Sequence, residues 1–328
     1  MTDRAIKSIP WDGKTITRPG LYSGIPLELY HSADICDGPS VSSSGLRRLF
    51  SESPAHFYAE WSGNPNRAEP EDKKAFIIGR ATHHLILGEP FFAKLFAIQP
   101  TEYEVEEKER GTGEWKKTGE IKPWSGNAIP CKRWKAEMAK AGRAILTAED
   151  VMSIRGMAES LGRNPIIRAG ALNGMIERSG FYRDKATGIW VKIRPDAIPT
   201  SDGDYTDLKT TESVKWEKLR RVIADRGYHQ QLGLIRTGAR ELGLPFTSGS
   251  LIFVEKKNPW PDRVVTLKDH HLDLGEKCNR AALDAMAVCL KNKRWPGPGG
   301  DREDAEQIEL SDYAVKSIED RLQHGIAT

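Results

Sequence analysis

The chain has 328 residues, 38% of them hydrophobic and 29% charged, with a formal net charge of +3. No stretch approaches the ~18–20 apolar residues of a membrane span, which excludes a transmembrane helix. The N-terminal MTDRAIKSIPWDGK has no apolar signal core, so a cytoplasmic location is expected.

Charge is unevenly placed. From Asp301 onward there are eight acidic and three basic residues, net −5, which leaves +8 on the first 300 residues. A mildly basic body suits a polyanionic partner without establishing one. Cys36, Cys131, Cys278 and Cys289 are scattered, with no C-x-x-C pair. A disulfide scaffold, a zinc ribbon and an iron–sulfur cluster are therefore not expected.

The first forty residues are rich in Gly, Pro, Asp and Ser and read as an extended lead-in. SVSSSGLRRLF follows with a Ser-rich helix start, and its helix is expected to stop before Pro54. A second helix covers AFIIGRATHHLILG. The charged segment from about 100 to 130 has no clear periodicity and reads as a long surface insertion or loop. A third helical block is expected over roughly Arg133 to Leu161.

Beyond Gly174 the period changes. MIERSGFYRD and GIWVKIRPDAI alternate around the turn-like KATG, as a β-hairpin does. DYTDLKT is a further strand. A helix follows Thr211, breaks near Gly227 and resumes as YHQQLGLIRTGARELG. SGSLIFVEK and DRVVTLK are strands, and an amphipathic helix spans about His271 to Lys291. The order predicts an α/β fold, a mixed sheet with helices on its faces.

The chemistry concentrates in Arg194-Pro195-Asp196, ten intervening residues, and Asp207-Leu208-Lys209. In a strand, Asp207 and Lys209 project to one face while Leu208 points the other way into the core. If Asp196 ends the neighbouring strand, its carboxylate approaches that of Asp207. Two converging carboxylates bind a divalent cation such as Mg²⁺. A lysine one pleat away can orient or help deprotonate a water, or stabilise charge on a phosphate. D-x-K alone recurs by chance, most often as a weak surface ion pair. The hairpin ending in Pro-Asp followed by an apolar-flanked D-x-K strand is the more specific pattern.

That joint pattern resembles the PD-(D/E)xK restriction-endonuclease-like core. GRATHHLILGEP resembles the Gly-x-x-x-His helix of its RecB-like and lambda-exonuclease branch, with Gly79 and His83 in the motif positions and His84 read as structural. Gly227-Tyr228-His229-Gln230-Gln231 resembles the Tyr-x-x-Gln motif, matched by Tyr228 and Gln231. Glu177 matches an early acidic position, and the Ser-containing helix resembles one that places Ser44 where such enzymes meet a terminal phosphate, with Arg47 or Arg48 to add charge. In their order these motifs are most similar to the RecE-type exodeoxyribonuclease VIII family of phages and prophages, over roughly residues 20 to 295.

The resemblance implies one nuclease domain over 41–298, the lead-in 1–40 before it and an acidic tail 299–328 after it. It implies a Mg²⁺-dependent exonuclease, with Mn²⁺ as a substitute, that degrades linear duplex DNA 5′ to 3′ and leaves 3′ overhangs for a single-strand annealing protein. His83, Asp196, Asp207 and the Leu208 backbone carbonyl would hold metal. Lys209 would orient water, Glu177 would support the metals, and Tyr228, Gln231, Ser44 and Arg47 would bind DNA or support the site. A ring-shaped homo-oligomer in the cytoplasm of a bacterial host is the implied assembly. The alternative is a non-catalytic DNA-binding protein, or a sequence-specific endonuclease, of the same fold.

Overall fold

Proline and glycine punctuate the chain where the sequence places them. In the computed structural model, which describes residues 7–67, 74–88, 92–110, 112–176, 178–199, 203–300 and 304–325, the first elements are β1 (Ile9–Pro10), β2 (Gly20–Ser23), the single turn α1 (Leu27–Tyr30) and β3 (Ser40–Ser42). Helix α2 (Ser43–Ser51) stops before Pro54, and that proline opens α3 (Pro54–Glu60), a first-turn position that needs no N–H donor. The expected second helix is α4 (Lys74–Ile86), followed by α5 (Phe92–Leu95) and β4 (Phe96–Ile98).

Three expectations are corrected here. Residues 100–130 are not a structureless loop but a ribbon of β5 (Glu102–Lys108) and β6 (Trp115–Pro123). Its residues are charged rather than apolar in alternation: Glu104 pairs with Lys117 across the strands at 2.9 Å, and Glu106 pairs with Arg133 outside the ribbon at 2.9 Å. That is why hydrophobic periodicity was silent. The helical block at 133–161 is broken into α6 (Ile129–Lys140), β7 (Ala144–Leu146) and α7 (Ala148–Arg163). Gly142 at φ +66° turns the chain there, and β7 pairs with β4. The lead-in is not a free extension, because β2 pairs with β9 (Ser179–Arg183) and Leu21, Tyr22, Ile25 and Tyr30 are buried.

The hairpin read around KATG crosses between two sheets. Its outer ends, β8 (Met175–Ile176) and β11 (Ala197–Ile198), belong to one sheet, while β9 and β10 (Trp190–Ile193) belong to the other. The remaining elements are β12 (Asp204–Thr211), α8 (Trp216–Asp225), α9 (Tyr228–Glu241), β13 (Ser248–Glu255), β14 (Asp262–Thr266), α10 (Asp269–Asn292) and α11 (Asp312–His324). Strand order is β1-β2-β9-β10-β3 in one sheet and β14-β13-β12-β11-β8 in the other. β12 and β13 run parallel, joined through α8 and α9.

The second sheet is covered on both faces. Tyr205, Leu251 and Phe253 pack with Leu219, Leu232, Ile235 and Leu272 from α8, α9 and α10. The alternate residues Leu208, Ile252 and Val254 pack with Ala81 of α4 and with Ile154 and Met157 of α7. Two-sided burial explains the near-continuous apolar run SLIFV in β13. In the first sheet, Val191 and Ile193 pack on α2, α9 and α10.

Lys192 of β10, between them in the strand, turns to the other face of that sheet, beside Tyr30. It is 3% exposed, and its Nζ donates to the Tyr30 carbonyl at 2.8 Å. Burial pushes the ammonium down to about 8. The folded value lies below the unfolded one, so between about pH 8 and the ordinary lysine value the unfolded chain holds more protons, and stability from this group rises with pH. We expect the wild type to gain about 3 kcal/mol at most over a Lys192→Met variant as pH rises through that window. Denaturant unfolding of both proteins at pH 7.5 and pH 10 reads the difference. An unchanged or falling difference would contradict the assignment.

Candidate active site

The short strand β11 creates the site. It pairs with β12 only at Ala197–Thr206, so beyond Thr206 that edge of β12 has no strand beside it. Asp196, at the bend after Arg194-Pro195, fills the gap: its Oδ2 accepts the Leu208 N–H at 2.6 Å. The N–H and C=O of one residue in an extended strand face the same side. The Leu208 carbonyl therefore also faces the Asp196 edge, while the Leu208 side chain is fully buried in the α4–α7 core, as the alternation predicted.

Asp207 and Lys209 project to the opposite face, toward α9. Asp207 is 1% exposed. Gln231 Nε2 donates to its Oδ1 at 2.8 Å, and Lys209 Nζ contacts its Oδ2. The Lys209 ammonium also lies 5.1 Å from the centre of the Tyr228 ring, with the Arg47 guanidinium 5.9 Å from the same ring. Tyr228 and Gln231, three apart on α9, therefore serve one purpose, fixing the D-x-K pair. From the other face of the sheet, α4 brings His83, whose Nδ1 is 3.5 Å from Asp196 Oδ1. His84 packs edge-to-face on Phe96.

The electrostatics follow from burial and proximity. Burial and the Asp196 charge together push the Asp207 carboxyl up, and Lys209 only partly offsets them. Burial would also raise Asp196, but His83, Lys209 and the Leu208 N–H outweigh it and hold that carboxyl below the usual range. Burial disfavours the charged forms of His83 and Lys209, yet the two carboxylates prevail and both are raised. Lys209 therefore remains an ammonium, a donor rather than a base.

His83, Asp196, Lys209 and Tyr228 line a cleft of about 1360 Å³, with Arg47, Arg80, Arg194, Lys218 and Lys256 also on its wall, while Asp207 lies buried behind Lys209. Gly79 lines it too, and a Cβ there would only reach ordinary contact with Thr210 at 3.8 Å. The glycine keeps the cleft wall low rather than relieving a clash.

The sequence-predicted residues divide into three sets. His83, Asp196, Asp207, Lys209, Tyr228 and Gln231 come together. Arg47 stands at their margin, where its Nη1 donates to the Arg226 carbonyl at 2.6 Å. Ser44 lines an adjoining groove that shares Arg47 and Arg226 with the cleft. Its Oγ is 3.1 Å from that of Ser42, and Ser42, not Ser44, occupies the N-cap of α2. Glu177 lies outside the described residues.

A hard divalent cation suits the donor set: two carboxylates, an imidazole and a backbone carbonyl. Asp207 Oδ2, whose partner here is the Lys209 ammonium, is the oxygen such a cation would share with it. Among the described residues, no group of three or more His, Cys, Asp or Glu side chains is placed to hold a metal ion as it stands.

Comparison with known proteins bears on the fold. Residues 42–308 match the family model described as a PDDEXK-like domain of unknown function (DUF3799). The chain belongs to this family. No curated protein matches it. Among solved structures, a candidate exonuclease from Eubacterium rectale matches with a TM-score of 0.56 at 12% identity, over 90% of this chain and 98% of its own. At that identity the likeness establishes a shared fold. Two more distant structures are an alkaline exonuclease from Laribacter hongkongensis (TM-score 0.27, 15% identity, 51% and 86% covered) and a phage related exonuclease from Haemophilus somnus 129PT (0.29, 13%, 65% and 95%). The PDDEXK-like assignment matches the fold read from the Pro195-Asp196 and Asp207-x-Lys209 pieces.

Sequence reasoning missed what seats α9. Gly227 begins the helix at φ +62°, and a Cβ there would come within 2.9 Å of the Arg47 side chain. A Cβ on Gly275 of α10 would stand 2.3 Å from the His229 carbonyl, and one on Gly233 would stand 2.8 Å from the Leu272 carbonyl. Two glycines thus let α9 and α10 touch backbone to backbone, and Asn279 Nδ2 donates to the Gln230 carbonyl at 2.9 Å. We expect Gly275→Ala to destabilise the protein by about 1–3 kcal/mol and to loosen the Gln231–Asp207 bond. Denaturant midpoints measure the first effect. Unaltered stability would show that the two helices are not held in this contact.

Proposed function

We propose that this protein is a divalent-metal-dependent exodeoxyribonuclease that hydrolyses phosphodiester bonds of linear duplex DNA. The observation that carries the reading is the meeting of Asp196, Lys209 and His83 on the wall of one cationic cleft, with the buried Asp207 held against Lys209 by Gln231. His83, Asp196, Asp207 and the Leu208 carbonyl would hold the metal, with Glu177 supporting it. Bound there, Mg²⁺ or Mn²⁺ supplies Lewis-acid stabilisation of the phosphate and a more acidic water.

The chain's own groups do the rest. Lys209, kept protonated by its two carboxylate neighbours, donates to the attacking water or to the developing phosphoryl oxyanion. Tyr228 holds the Lys209 ammonium against its ring face. Asp207 accepts from Gln231 and so is kept from rotating. Arg47, Arg80 and Arg194 in the cleft meet backbone phosphates, which gives affinity without sequence preference.

The finer reading follows the RecE-type resemblance. The enzyme works 5′ to 3′, leaves 3′ single-stranded overhangs for a single-strand annealing protein in phage-type recombination, and assembles as a ring-shaped homo-oligomer in the host cytoplasm. Consistent with work outside a membrane, no described helix is long and apolar enough to cross one.

Purified protein should degrade linear but not closed-circular duplex DNA with Mg²⁺. Chelator should abolish degradation, and Asp207→Ala should lower it at least ~100-fold. End-labelled duplexes report polarity. Cutting of circles would replace the exonuclease with an endonuclease, and DNA binding without cutting would leave a non-catalytic member of the fold.

A further inference from the structure

Helix α8, part of the cleft wall, leaves one large aromatic side chain outside the core. Leu219, Val222 and Ile223 pack inward, whereas Trp216 at its start is 53% exposed. The ring is nevertheless held. The Arg263 guanidinium lies 4.8 Å from the ring centre, and Arg263 Nε donates to the Val214 carbonyl at 3.0 Å. An arginine anchored to the backbone thus backs the indole and fixes its orientation, while about half of the residue stays open to solvent.

Strand register locates this unit relative to the D-x-K pair. Lys209 of β12 pairs with Phe253 of β13, and Phe253 pairs with Arg263 of β14. Residues directly opposite in paired strands point to one face, so Lys209, Phe253 and Arg263 form one row on the α8–α9 side of the sheet. Arg263 stands two strand spacings, ~10 Å, from Lys209. That separation is comparable with the ~6–12 Å widths of the duplex grooves, across which the two strands face each other. Cations link the two points. Lys215, beside Trp216 in the chain, is exposed, and Lys218 and Lys256 line the cleft.

We propose that Trp216, backed by Arg263, is a stacking platform for an unpaired base of single-stranded DNA, with Lys215 and Lys218 on the adjoining phosphates. A fixed exposed ring among cations is the arrangement that binds single strands without sequence preference, because every base has a face to stack. The identity of the strand rests on the nuclease reading: it is the strand left uncut, which passes over β14 while its complement is hydrolysed at β12.

Binding is measured without turnover, by fluorescence anisotropy of labelled oligothymidylate with the full chain and chelator. Trp216→Ala should weaken binding about tenfold, and Trp216→Tyr should retain most of the affinity. Lys215→Ala and Lys218→Ala should each lower the slope of log affinity against log salt by about 0.7. Melting curves confirm that each variant folds. Duplexes with a 3′ or a 5′ single-stranded extension then identify the strand. The extension that loses affinity in Trp216→Ala should belong to the strand that end-labelled duplexes show uncut with Mg²⁺, the 3′ extension under the 5′-to-3′ reading.

Unchanged oligothymidylate affinity in Trp216→Ala, or Trp216→Tyr as weak as Trp216→Ala, would overturn the platform. A loss confined to an extension of the cut strand would overturn its assignment to the uncut one. A protein that binds oligothymidylate through Trp216 yet degrades no DNA would keep the platform and sink the nuclease reading. One that degrades linear duplex but binds oligothymidylate independently of Trp216 would do the reverse.

Discussion

A carboxylate in the middle of a strand covered on both faces is the constraint around which this molecule is arranged. Asp207 is 1% exposed, and an isolated ionised carboxylate in such surroundings is prohibitively unfavourable. Its neighbours exist to offset that cost. Lys209, one pleat along, contacts one oxygen, and Gln231 donates to the other. Tyr228 then confines Lys209, and Arg47 packs on the same ring. The helix carrying Gln231 and Tyr228 is itself seated by glycine contacts on α10. Stability and site geometry are therefore one problem: what keeps Asp207 tolerable also keeps the site ordered.

The second constraint is topological. The hairpin arms pass from one sheet to the other, and the β11 arm ends its pairing with β12 after one residue pair. An unpaired strand edge inside a protein must find other partners for its backbone groups. Asp196 supplies one, and in doing so is fixed beside Asp207 on a separate strand. The same gap lets α4, which covers the opposite face, reach the edge with His83. Groups from both sides of the sheet meet only where the sheet is incomplete.

The acidic tail stands apart from this design. Its helix α11 lies beyond residues 42–308, the span of the family match, and Tyr313, Ile318 and Leu322 on it are exposed. The basic excess belongs to the body, where the cleft gathers arginines and lysines from α2, α4, α8 and the β10–β11 bend. The near-neutral total thus conceals two segments of opposite character.

Much of the site was legible in the sequence because its parts are local. D-x-K spacing fixes which face Asp207 and Lys209 share, and Tyr228 and Gln231 are one helical turn apart. The apolar runs and the proline and glycine breaks located β12, β13, α2, α9 and α10 for the same reason. The β5–β6 ribbon was invisible because its strands are mostly charged and exposed and show no apolar alternation. The lead-in was misread because β2 is short and finds its partner, β9, more than 150 residues downstream. By itself, the sequence determined which chemistry the chain could carry, since that depends on residue types at strand and helix spacing. Only the tertiary structure decided that His83 reaches Asp196 across the sheet edge and that α9 rests on glycines of α10. Those depend on long-range packing, which residue spacing does not encode.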